Sequence, residues 1–325
     1  MKKLVFIIPY FGKFNNYFQL FLNSCSKNKE IDWIIYTDDE KEYVFPKNIK
    51  VVYKTFSEIK NKIQSNFNFP IQLKTPYKLC DYRPFYGLIF RDDIKEYEYW
   101  GYCDTDIIWG NISKLLFPKL MVNRYDKLFF LGHCSIYKNN YENQEFFKKI
   151  SELDGRVKEV YSNSENYSFD EEFNESINSI FLREGKNIYL REMEANIYMK
   201  SSYFKLIKYD FNLKKYIIDK KEKFLIIYNN GNLEGYFVKN KILYKEEYLY
   251  IHMQSRKMKV KCKNYNFYKI IPNSFQDIEV DKILETNFDK IKKKNYNIHY
   301  FRLRSKNLYL KLKKFSKRFF DKKWK

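Results

Sequence analysis

Buried-strand patterns alternate with helical ones along the first hundred residues. Lys3 to Pro9 is an almost unbroken apolar run, the pattern of a strand covered on both faces. Phe18, Leu22 and Cys25 then recur at helical spacing between Asn15 and Cys25. Trp33 to Thr37 and Ile49 to Tyr53 read as the next two strands, and a polar helical stretch starts at Ser57. Strands alternating with helices predict an α/β fold with a mostly parallel sheet covered by helices. Ligands of such sheets gather beyond the carboxyl ends of the strands. Pro9-Tyr10-Phe11, Thr37-Asp38 and Asp104 to Asp106 would lie there.

Further along, Asn111 to Leu120 reads as a short helix and Lys127 to Leu131 as a strand ending at Gly132-His133. Ser168-Phe169-Asp170-Glu171 has the form of a capping box and predicts a helix from there to about Leu182. Near Lys223 the pattern changes to that of a hairpin. Phe224 to Tyr228 and Leu233 to Val238 flank Asn229-Asn230-Gly231-Asn232, and Asn-Gly supplies the positive φ values of a tight turn. Ile242 to Tyr244 and Tyr248 to Met253 would extend it into a β-meander, and the chain beyond is basic and partly helical.

A chain of 325 residues with 45% hydrophobic composition can build a sizeable core. Its five cysteines are odd in number, widely spaced and without a Cys-x-x-Cys pair, which disfavours a disulfide framework or structural zinc site and fits a reducing cytoplasm. Two lysines precede the first apolar run, as in a signal peptide, but the run stops at Pro9 and no small-residue cleavage site follows. No stretch approaches the ~20 apolar residues of a membrane-spanning helix. A soluble or peripheral protein is expected.

Net charge is +21, and it is uneven: Asp289 to Lys325 holds fifteen Lys or Arg and two Asp, a net +13. Leu308, Leu312, Phe315 and Phe319 share one helical face there, ringed by Lys311, Lys314, Arg318 and Lys322. Such a helix is suited to an anionic bilayer, or to packing its stripe on the domain with its lysines solvated. A nucleic-acid-binding function is the other reading of the charge. No zinc-finger spacing, recognition-motif signature or helix-turn-helix pattern accompanies it, and basic charge alone gives only non-specific binding. The absence of Gly-x-Gly-x-x-Gly and of a Walker loop argues against nicotinamide and P-loop chemistry.

The candidate chemistry centres on Asp104-Thr105-Asp106. These carboxylates interrupt an apolar stretch, Tyr99 to Cys103 before them and Ile107-Ile108-Trp109 after. Burying unpaired carboxylates is costly unless a cation or hydrogen bonds compensate. Mg²⁺ and Mn²⁺ take one or two protein carboxylates and leave other positions to phosphate and water; a strand ending in a solvated turn is the competing reading. His252 closes the apolar run Tyr248 to Ile251 and precedes Arg256 and Lys257, so it suits a third metal ligand with phosphate-binding cations nearby, or an ordinary hydrogen-bonded strand end. Lys78, Asp81 and Arg83 cluster before a predicted helix, where they would contact a diphosphate or sugar, or simply pair with one another. Asp170, with Glu171, is the candidate base; the capping box accounts for Glu171 without catalysis, which favours Asp170.

Taken together, Ile7-Ile8-Pro9-Tyr10-Phe11-Gly12, Tyr36-Thr37-Asp38, Tyr77 to Pro84, Gly101 to Asp106, Gly132-His133 and His252 with Arg256-Lys257 resemble bacterial glycosyltransferases of the GT-A type, related to those of capsule and lipopolysaccharide biosynthesis. The resemblance spans roughly residues 1–260. It implies a Rossmann-like nucleotide-sugar transferase fold, with a nucleotide-binding half at 1–110, an acceptor half at 111–260 and a basic extension at 261–325. It further implies a hexose donor carried on a nucleotide diphosphate, most often UDP, with Mn²⁺ or Mg²⁺, and a lipid-linked or oligosaccharide acceptor at the inner face of the membrane. Pro9, Tyr10, Phe11, Thr37 and Asp38 would contact the nucleotide, and Lys78, Asp81 and Arg83 the donor. Asp104, Asp106 and His252 would form the metal region, with Asp106 the direct contact and Asp104 towards ribose or a metal-bound water. An inactive binding subunit on the same fold is the alternative that intact Asp104, Asp106 and His252 oppose.

Overall fold

The computed structural model describes residues 2–172, 174–198, 204–219, 224–280, 282–292 and 298–322, with the side chains of all of these except 299, 300 and 314–322. Met1–Ile107 with Ile112–Glu192 forms one unit, and Ile108–Asn111 with Met193–Lys325 a second.

In the first unit the apolar runs become β1 (Lys2–Pro9), β2 (Ile31–Thr37), β3 (Ile49–Tyr53) and β4 (Tyr97–Cys103). After β5 (Ile107–Trp109) follow β6 (Lys127–Leu128), β7 (Cys134–Lys138) and β8 (Ile188–Tyr189), giving the sheet order β3-β2-β1-β4-β7-β6-β8. The first four strands are mutually parallel, whereas β7 is antiparallel to both its neighbours and β6 is parallel to β8. The sheet is therefore mixed. Only residues 129–133 join β6 to β7, too short a link for the crossover a parallel pair requires. Helix Phe18–Ser26 buries Phe18, Leu22 and Cys25 as its periodicity predicts. Helix Phe56–Gln64 is opened by a capping box of Thr55 and Glu58. The box expected at Ser168 is absent. Ser168 has φ 50° and accepts from the Glu171 amide in a turn, and the helix begins later, at Ile177, under the hydroxyl of Ser176.

The second unit is β-rich. It contains β9 (Ala195–Asn196), β10 (Ile207–Asp210), β11 (Lys215–Ile218), β12 (Phe224–Asn229), β13 (Asn232–Lys239), β14 (Ile242–Tyr248), β15 (Tyr250–His252), β16 (Lys259–Val260), β17 (Phe267–Ile271) and β18 (Ser274–Asp277). The meander β12-β13-β14 turns between its first two strands through Asn230 (φ 45°) and Gly231 (φ 91°), the two positive values of a type I′ turn. It sits in a six-stranded sheet ordered β14-β13-β12-β17-β18-β16. β17 and β18 thus extend it past the boundary at residue 260 that the sequence suggests. β15 does not continue the meander; it lies between β5 and β9 in a three-stranded sheet. Helix Ile298–Lys322 is the last described element, with Leu308 and Leu312 exposed. Phe315 and Phe319, with Lys314, Arg318 and Lys322, lie outside the described side chains. Among the described residues no helix is long and apolar enough to cross a membrane.

Candidate functional site

The strand order grows outward in opposite directions from the β1–β4 pair, which makes their carboxyl ends the topological switch point where α/β sheets bind ligands. The loop after β1 is shaped there by the end of β2. The Tyr10 amide donates to the Tyr36 carbonyl at 2.8 Å, Gly12 N donates to Asp38 Oδ1 at 2.7 Å, and Phe14 N donates to Asp39 Oδ2 at 3.1 Å. Thr37 and Phe11 are buried beneath this loop, whereas Pro9 and Tyr10 are half-buried and Asp38 is exposed. The Tyr10 ring stacks on Phe14 with centroids 4.5 Å apart. Burial raises the Tyr10 hydroxyl pKa, and the charges of Asp106, Asp39 and Asp104 raise it further, so this loop faces the acidic motif.

Asp104 terminates the β4–β7 ladder, donating its amide to the His133 carbonyl at 2.9 Å. Thr105 is buried and its carbonyl accepts from Asn15 Nδ2 at 3.1 Å, leaving the flanking carboxylates half-buried. Asn15 and Tyr17 are contributors that residue patterns do not single out. Tyr17, like Tyr10, has its pKa raised by burial first and Asp106 next. Their position in the loop after the first strand was the available signal.

Asp106 immediately precedes β5, and His252 ends β15. In the second unit, Gly110 N donates to the Leu249 carbonyl at 2.7 Å, where β5 adjoins β15. Within the first unit, Asp104 and Asp106 offer carboxylate oxygens within 4.8 Å of each other. Two such carboxylates suit a hard divalent cation that leaves its other positions to phosphate and water.

Arg83 ties this group to the candidate base. Its Nη2 donates to Asp104 Oδ1 at 2.5 Å, and its Nη1 donates to the Gly132 carbonyl at 2.7 Å and to Asp170 Oδ2 at 3.1 Å. The guanidinium lies over the Tyr102 ring, 5.5 Å from the centroid. Such a fork fixes the Asp104 carboxylate more firmly than a lysine could.

Lys78 and Asp81 are placed differently from the donor contacts expected of them. Both are buried; Lys78 Nζ donates to Asp81 Oδ2 at 2.8 Å, to the Val160 carbonyl at 2.9 Å and to the Glu165 carbonyl. The Asp81 carboxylate also accepts from Tyr167 N at 3.0 Å and Phe169 N at 2.8 Å. The pair therefore clasps the segment that leads into Asp170. Arg256 is also buried, with Nε donating to Asn273 Oδ1 at 3.1 Å and the guanidinium over Phe204, and burial lowers its pKa to about 10. Lys257 is exposed.

Asp170 is 1% exposed and Glu171 half-buried. With no helix starting at Ser168, Glu171 is not a capping residue; its carboxyl group hydrogen-bonds with Glu172. Burial pushes the Asp170 carboxyl up to about 7 against the opposing pull of Arg83, with Asp81 and Asp104 adding to the rise. Burial, then Asp170 and Glu172, push Glu171 upward as well. A carboxyl whose ordinary value is 3.8 and whose folded value is about 7 keeps its proton in the fold after the unfolded chain has released it. Its contribution to stability is fully present below about 4, falls as pH rises towards about 7, and is flat above. Urea unfolding with EDTA present should therefore show stability declining over that interval, with a shallower decline in Asp170→Asn; an unchanged slope would refute the assignment.

Gly132 makes this crowding possible. A Cβ there would lie 2.6 Å from Glu171 Cγ and 2.9 Å from Asp170 Oδ2. Gly132→Ala should cost about 1–3 kcal/mol through overpacking and weaken the Arg83–Asp170 contact, measurable as a lower urea midpoint. An unaltered midpoint would show that the carboxylates can move aside.

No curated protein matches the chain. Among solved structures, mouse xyloside xylosyltransferase 1 in its apo form is similar at 7% identity and a TM-score of 0.42, over 60% of this chain and 87% of that one. A glycosyltransferase involved in glycosylation of the major capsid of PBCV-1 is similar at 11% identity and a TM-score of 0.34, over 60% of this chain and 85% of that one. A family model matches residues 6–279, and on that match the chain belongs to the family of unknown function DUF6625.

Proposed function

We propose that this protein is a metal-dependent glycosyltransferase that moves a sugar from a nucleotide-diphosphate donor to an acceptor hydroxyl. The observation that carries the reading is the pair of carboxylates Asp104 and Asp106 next to a loop at the β1–β4 switch point. A divalent cation held by these carboxylates would balance the charge that develops on a departing diphosphate. Tyr10 and Asp38 border the nucleoside, while Arg83 holds Asp104 in its orientation. Glu171, the more exposed of the two raised carboxylates, takes the acceptor hydroxyl's proton as the acceptor oxygen bonds to the anomeric carbon and the bond from that carbon to the diphosphate breaks. Asp170 keeps Glu171's affinity for a proton high. A hexose on UDP, Mn²⁺ as the ion, and a capsule or lipopolysaccharide glycan as the acceptor are the finer reading. The cytoplasmic face of the membrane, approached through helix Ile298–Lys322, is its setting.

Thermal melting with UDP and Mn²⁺ tests the core of this. UDP should raise the melting temperature when Mn²⁺ is present and not when EDTA replaces it. The absence of a metal-dependent shift with UDP and with the other nucleoside diphosphates would remove the proposal.

A further inference from the structure

We propose that the hairpin β10–β11 is a wedge that enters the surface of an anionic lipid bilayer. Among the described residues these two strands form a sheet of their own. An isolated two-stranded ribbon is at best marginally stable in water and ordinarily hides at least one face. Here all four residues of β11 are exposed, while Ile207, Tyr209 and Asp210 of β10 are half-buried. Successive side chains of a strand point to opposite faces, so Tyr216 and Ile218 present apolar surface on one side and Ile217 on the other, at 38%, 42% and 40% exposure. The turn is apolar too, with Phe211 at 45% and Leu213 at 57%. Its shape is specified: Asp210 Oδ1 accepts from Leu213 N at 3.0 Å, Lys214 takes φ 46°, and the Tyr209 ring packs edge-on against Phe211.

Charge selects the occupant. Lys208, Lys214 and Lys215 are exposed immediately behind the apolar turn, a collar that meets acidic headgroups once Phe211 and Leu213 are below them. A second copy of the chain, with net charge +21, would bring the same lysines face to face. A nucleic acid would use the cations but has no apolar layer for Leu213, Ile217 and Ile218. The wedge is distinct from helix Ile298–Lys322 and independent of any catalytic role.

The test uses the full chain and vesicles of phosphatidylcholine with or without phosphatidylglycerol. Binding should require the anionic lipid and weaken with salt, and Phe211→Asp with Leu213→Asp should cut it by about tenfold or more. Leu213→Asp alone, which leaves the Tyr209–Phe211 ring contact in place, should weaken binding without moving the melting temperature. A Leu213→Trp variant should be quenched by lipids carrying a spin label in the acyl chain. Unchanged vesicle binding by the double variant, a parent protein that ignores anionic vesicles, or an unquenched Trp would each overturn the proposal. So would a dimer, or RNA binding, lost in the double variant while vesicle binding persists.

Discussion

Asp106→Ala is expected to remove the Mn²⁺-dependent thermal stabilisation given by UDP and to lower sugar transfer about 10²–10³-fold. Ligand at about a hundred times its Kd adds about 2.7 kcal/mol to the folded state, which corresponds to roughly 5–10 °C for a unit of this size. That shift is the quantity the variant should lose. The reasoning is geometric: Asp106 immediately precedes β5 and is separated from Asp104 only by the buried Thr105. Asp104 is held by Arg83, and Asp106 is the second carboxylate of the motif. The fold itself should survive, because Asp106 is half-buried at a strand boundary. A variant that still shows the full shift would place the metal elsewhere, and one that melts far below the parent without ligand would make Asp106 a structural residue.

Asp81→Asn should have the largest effect on stability, about 3–5 kcal/mol, because it leaves the buried Lys78 ammonium without its counter-charge. For a domain of this size that is roughly 6–20 °C in melting temperature. The amide would also set an N–H donor against Tyr167 N or Phe169 N, both of which now donate to the Asp81 carboxylate. The same substitution separates two roles. Were Asp81 a donor contact, KM for the nucleotide sugar would rise with little change in melting. As a clasp on the loop leading into Asp170, it should lower melting and turnover together and leave nucleotide affinity close to that of the parent.

Much of the fold was legible where its information is local. The apolar runs at Leu4 to Ile8 and Trp33 to Tyr36 read as buried strands, and the Asn-Gly pair at 230–231 as a tight turn, since neighbouring residues alone decide each. Asp104-Thr105-Asp106 stood out because two carboxylates interrupted an apolar stretch. Ser168-Phe169-Asp170-Glu171 misled for the same local reason. Its pattern satisfies a capping box, yet Phe169 is buried and its amide is taken by Asp81, so the chain turns there and Ser176 caps the helix. Thr55 and Glu58, with an equally simple spacing, do form the box.

Residue order determined the alternating strands, the acidic pair, the hairpin turn and the concentration of positive charge near the end of the chain, because periodicity, turn chemistry and charge are sums over neighbours. Tertiary packing decided that Lys78 and Asp81 lie buried as a clasp while Arg83 reaches Asp104 and Asp170. It also decided that β15 leaves the meander for β5. These outcomes depend on which long-range partner meets each charge or strand edge, and a buried lysine that finds its carboxylate and carbonyls has no donors left for a ligand.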